Sequence, residues 1–178
     1  MFQLLYDPLA EIRKCKRQQF GRILLYLLTA ALFETVGLLF FAWRYIPEQL
    51  TPNLVVNGIL LVLFGIIVCH LICAFFFALA MHVLDGKGGY YEGLAAIVLS
   101  SVAPAVMTFF GGALSFAPLG IFVALFLITF GYVLGLATLF RAGKELFELD
   151  YAGVAIGFLV TVIPLGVAVC IARLLAGM

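Results

Sequence analysis

Charge is what this sequence most lacks. Lys, Arg, Asp and Glu make up 11% of its 178 residues, where a soluble domain carries about a quarter. Hydrophobic residues make up 66%, and the mean hydropathy is +1.24. Such a chain would show water large apolar patches, so lipid is its expected solvent. Net charge is +1, which excludes a bulk basic field for nucleic acid. The length allows one domain.

Other absences narrow the function. There is no His-Glu-x-x-His, no Gly-x-Ser-x-Gly and no pair of intramembrane carboxylates. The chain therefore reads as non-enzymatic, with no cofactor. Its four cysteines do not form a secreted disulfide framework. Cys15 lies among basic residues, while Cys69, Cys73 and Cys170 lie inside apolar runs. Cys69 and Cys73 share a helix face beside His70, but a metal site needs more ligands, so they read as small packing residues and no metal is expected. No cleavage pattern follows the first basic cluster, so the apolar run after it reads as a retained anchor.

Long apolar runs are what is present. A spanning helix needs about 20 mostly apolar residues. Five runs qualify, at about 21–43, 54–83, 92–110, 116–140 and 152–175. They are continuous rather than alternating, which favours helices over barrel strands. The expected fold is an all-α, polytopic bundle of five transmembrane helices. Residues 1–20 form a lead-in. Asp7 and Pro8 suit a helix start, and Leu9, Ile12 and Phe20 fall broadly on one face. The lead-in reads as a short amphipathic helix on the membrane surface, with Arg13, Lys14 and Arg17 at anionic headgroups.

Basic residues set the expected orientation. Arg13, Lys14, Lys16, Arg17 and Arg22 precede the first run, Lys87 follows the second, and Arg141 and Lys144 follow the fourth. Only Arg44 and Arg173 fall on the other side, where the loop near Gly111–Ser115 has no charge. This predicts a cytoplasmic N-terminus and an outside C-terminus.

The stretch "LDGKGGYYEG" at Leu84–Gly93 carries the densest glycine. A phosphate loop needs Gly-x-x-x-x-Gly-Lys-Ser/Thr; here Lys87 follows Gly86 directly and no Ser or Thr follows. It reads as a turn, with Gly86, Gly88 and Gly89 supplying unusual dihedrals and Asp85 and Lys87 keeping it in water. Together with Glu92 and the charged segment holding Arg141, Lys144, Glu145 and Glu148, this turn is a candidate partner surface. The two loops lean acidic, so the basic lead-in is expected to dock partly on them and partly on lipid.

The same stretch, continued as "LAAIVLSSVAP", resembles the central pattern of the Yip1-domain family: a glycine-containing cytoplasmic turn, then a helix of small residues with an Ala-Pro step, here Ala103-Pro104. Asp7-Pro8 in the lead-in, Gly131-Tyr132 in the fourth run and "RAGKELFELD" before the fifth agree with it. The resemblance covers nearly the whole chain. It implies a five-helix membrane protein without catalysis that organises membrane or partner proteins. Eukaryotic members associate with prenylated Rab GTPases and with one another. This chain lacks their long hydrophilic N-terminal region and resembles the short prokaryotic branch, which implies a cytoplasmic (inner) membrane. Partners would be the bilayer, another membrane protein or further copies of the chain.

Glu34 is the outlying residue, in the middle of the first apolar run. A carboxylate at that depth costs several kcal/mol unless paired or neutralised. Gly21 to Glu34 and His70 to Val83 are equal intervals, about 20 Å at 1.5 Å per residue, so the two side chains are expected at one depth. They form a relay or polar substrate site, a packing pair, or leave Glu34 protonated on a backbone carbonyl. The first of these defines the alternative function, a small transporter or channel. Gly131-x-x-x-Gly135 and Gly153-x-x-x-Gly157 are stripes that would pack helices four and five together or build a dimer.

Overall fold

The computed structural model describes Ile12, residues 20–49 and residues 51–175. Five long helices account for the described residues from Phe20 on: α1 (Phe20–Tyr45), α2 (Pro52–Val83), α3 (Tyr90–Leu114), α4 (Gly120–Phe147) and α5 (Tyr151–Leu175), with a 3-10 turn at Pro47–Gln49. Among these residues there is no strand. The first four helices are long and apolar enough to cross a bilayer, and Tyr151–Pro164 of α5 is a shorter apolar stretch. Of the expected lead-in, Arg13, Lys14 and Arg17 lie outside the described residues. Ile12 is fully buried in the main apolar cluster.

Local chemistry starts each helix. Thr51 caps α2, its hydroxyl accepting from the Leu54 N–H at 3.3 Å, and Pro52 occupies the first turn, where no N–H is needed. At α3 the Glu92 carboxylate accepts from the Gly89 N–H at 2.8 Å. At α5 Asp150 accepts from the Gly153 N–H at 2.7 Å. Leu119 and Glu148, with φ of 58° and 60°, bracket α4 in left-handed conformations that turn the chain sharply at both ends.

Two boundaries differ from those expected. The charged segment after the fourth run is helical through Phe147, so Arg141, Lys144 and Glu145 lie on the last turns of α4 rather than in a loop. The reason is periodicity. Leu139, Ala142, Gly143, Leu146 and Phe147 recur at helical spacing and are all buried, so the helix keeps one face in the bundle while its charges point out. Likewise Gly111 and Gly112 are not loop residues but the last turn of α3. A Cβ on Gly112 would come 2.5 Å from the Gly37 carbonyl oxygen, and one on Gly37 would come 2.7 Å from the Thr108 backbone. Glycine lets α1 and α3 touch backbone to backbone, the usual way membrane helices gain dispersion contact.

The two small-residue stripes pack against other helices than expected. Gly131 and Gly135 seat α3: added Cβ atoms would meet Met107 at 2.7 Å and the Ser100 carbonyl oxygen at 2.5 Å. Gly157 receives Met81 of α2, and Gly153 abuts its own cap, Asp150. α3 is consequently the central element, packed on α1, α2 and α4, with α5 closing against α2 and α4.

Candidate functional site: a cavity lined by all five helices

Where the five helices converge they leave a cavity of about 430 Å³. Glu34 of α1 and His70 of α2, the two residues expected at one depth, both line it. Glu34 is within electrostatic range of His70 and also of Tyr132 on α4. The other polar side chains on the wall are Ser100 and Ser101 of α3, Thr161 of α5 and Cys73 of α2. Ile97, Leu136, Phe158 and Val162 are among the apolar lining residues.

The hydrogen bonds within the wall are local. The His70 Nδ1 lies 2.8 Å from the Ile66 carbonyl oxygen. A carbonyl only accepts, so Nδ1 carries the proton and Nε2 remains. Ser100 donates to the Ile97 carbonyl and Ser101 to the Val98 carbonyl, each at 2.8 Å. Thr161 donates to the Gly157 carbonyl at 2.8 Å. Such back-bonding satisfies a hydroxyl in a membrane helix without help from a neighbour. Among the described residues no hydrogen bond joins Glu34 to His70 or to Tyr132.

Pro104 shapes the wall. It has no N–H, so the Ser100 carbonyl loses its usual donor four residues on. Gly135 lies directly against that carbonyl, and Ser100, Pro104 and Gly135 all line the cavity. Cys69 and Cys73 approach to 3.9 Å between their Sγ atoms, and only Cys73 reaches the lining. Among the described residues no group of three or more His, Cys, Asp or Glu side chains is arranged to hold a metal ion.

The other expected site residues gather at one end of the bundle. Asp85 to Gly89 connect α2 to α3, with Asp85 in a left-handed conformation at φ 62°. The Lys87 N–H donates to the Phe147 carbonyl at 3.0 Å, and its ammonium lies 3.0 Å from the Glu148 carboxylate. Gly88 is required by the same contact, since a Cβ there would meet the Phe147 ring at 2.7 Å. Phe147 in turn meets Phe77 edge to face, with centroids 5.8 Å apart. Lys144 stands 4.5 Å above the Tyr151 ring. The two candidate partner loops are therefore one continuous surface. Glu92 belongs to it only as a helix cap.

Sequence reasoning missed Tyr132, Ser100, Ser101 and Thr161. Tyr132 stood in view beside Gly131, and its signal was a phenol in mid-run rather than at a boundary, where membrane tyrosines concentrate. The hydroxyls gave no signal, because serine and threonine are at home in membrane helices. No family model matches the chain, and no characterised protein and no solved structure is similar to it. The functional reading rests on the cavity itself.

Proposed function

We propose that the chain is a non-enzymatic integral membrane protein that crosses the bilayer five times, N-terminus inside and C-terminus outside, and takes a small ligand into the cavity at Glu34 and His70 for passage through or release within the membrane. The observation that carries this reading is the convergence of all five helices on one space holding the intramembrane acid. A packing pair would close on itself with a hydrogen bond and leave no room. Here about 430 Å³ stands beside the carboxyl group, within the usual range of ligand pockets. Intramembrane acids that face a cavity are functional by default. The orientation rests on the Lys and Arg distribution, and a prokaryotic cytoplasmic membrane is what the short Yip1-like layout implies.

The test is flux in proteoliposomes across a panel of ions, amines and lipids, comparing wild type with Glu34→Gln. Flux above protein-free liposomes that disappears in the correctly inserted variant supports the reading. Absence of both flux and saturable ligand binding defeats it.

A second reading, a Yip1-like organiser of membrane or partner proteins, is favoured by the continuous surface that Lys87, Phe147 and Glu148 make of the two charged segments. It predicts retained partner capture in Glu34→Gln and loss of capture when the Lys87–Glu148 surface is altered.

A further inference from the structure

The protons in the cavity wall are almost all committed, and this defines what the cavity can bind. His70 spends Nδ1–H on Ile66, Ser100 and Ser101 spend their hydroxyl protons on Ile97 and Val98, and Thr161 spends its own on Gly157. What each offers an occupant is a lone pair: Nε2 of His70 and three hydroxyl oxygens. Glu34 supplies carboxyl oxygens. Among the described residues, Tyr132 is the one lining hydroxyl with no acceptor, and no Lys or Arg lines the cavity. A wall of acceptors with an acid and no fixed cation is complementary to a ligand that brings both N–H donors and positive charge.

The apolar part of the wall agrees. Phe158 and Tyr132 line the space with aromatic side chains, and aromatic rings attract cations, more strongly where water is excluded. A second, apolar groove of about 420 Å³ runs between α2 and α5, lined by Phe76, Leu79, Val160 and Pro164, and it shares Thr161 with the cavity. Building on the proposed ligand-binding function, we infer that the cavity is a receptor for an organic ammonium: a protonated amine on a small apolar or aromatic body, its nitrogen at Glu34 and its body against Tyr132 and Phe158.

The test is calorimetric titration of the full chain in nanodiscs with three size-matched probes, phenethylammonium, 2-phenylethanol and 3-phenylpropanoate, with empty nanodiscs subtracted. Phenethylammonium is expected to bind saturably and at least tenfold more tightly than the alcohol, and the carboxylate not at all. Glu34→Gln should weaken the ammonium at least tenfold while leaving the alcohol unchanged. Should Glu34→Gln fail to insert, Glu34→Asp, which keeps the carboxyl group, should retain ammonium binding, and Tyr132→Leu, at an exposed position, should weaken it about threefold. Equal or tighter binding of the alcohol or the carboxylate overturns the inference but leaves the cavity a ligand site. Ammonium binding indifferent to Glu34→Gln, or to Tyr132→Leu where that variant carries the test, also overturns it. No saturable binding by any probe, with no flux, removes both the inference and the function on which it rests.

Discussion

The two ends of the bundle are built on different terms. At the Lys87 end, Phe77, Met81, Leu99, Phe147 and Val154 are nearly or wholly buried, and the α2–α3 turn is hydrogen-bonded to the end of α4. At the Thr51 end, α2 stands largely apart: Leu60, Leu61 and Phe64 are exposed, and an apolar groove of about 310 Å³ separates α2 from Leu38 and Ala42 of α1. Only 6% of the most apolar stretch of α2 is buried, against 56% in α3. The most hydrophobic helix is thus the least buried. In lipid, hydrophobicity records exposure to acyl chains, and close packing follows small residues instead. The cavity lies where the packed end gives way to the open one, which is where a space lined by all five helices can exist without collapsing.

That contrast can be broken most severely at a glycine held against backbone. Gly37→Val would drive side-chain atoms into the Thr108 backbone, which cannot yield as a side chain can. A loss of about 3 kcal/mol, the top of the usual range for overpacking, is expected, read by reversible unfolding in mixed micelles. A smaller loss, about 2 kcal/mol, is expected for Phe147→Ala. Filling and packing around Phe77 and Gly88 disappear, but lipid relieves part of the usual cost of removing a buried ring. At the open end the sign reverses. Gly58 and Gly65 of α2 have nothing within 4 Å of an added Cβ, so Gly58→Ala and Gly65→Ala should each stabilise by up to about 1 kcal/mol through helix propensity. Destabilisation there would mean that α2 packs on something at this end. The smallest effect is at Lys87→Ala. Its ammonium and Glu148 are 78% and 45% exposed, so the ion pair contributes about 0.2–1 kcal/mol, reduced further by salt. The backbone bond from Lys87 to Phe147 would survive the substitution.

Hydropathy located the first four long apolar runs, and Glu34 and His70, counted to one depth from constant helix rise, line one cavity. It failed at the end of α4. Arg141, Lys144 and Glu145 lower the average over a segment whose inner face, Ala142, Leu146 and Phe147, is wholly apolar. It failed similarly at Gly111 and Gly112, where small residues look like a turn in a linear reading and act as a backbone contact in three dimensions. The α3 serines and Thr161 were invisible for a related reason: a hydroxyl in an apolar helix carries no sign of which neighbour it faces.

Composition pointed to lipid as the solvent, and the continuity of the apolar runs to the helical class, since backbone groups in hydrocarbon must bond within their own segment. The pairing of helices was decided only in the tertiary structure. Lipid treats every apolar face alike, and the choice among them is made by shape: α4 presents Gly131 and Gly135 to α3, and α5 presents Gly157 to Met81. The cavity is a product of the same choice. Its acid was written in the first apolar run, but the room beside that acid exists only because five helices, packed at one end, leave it there.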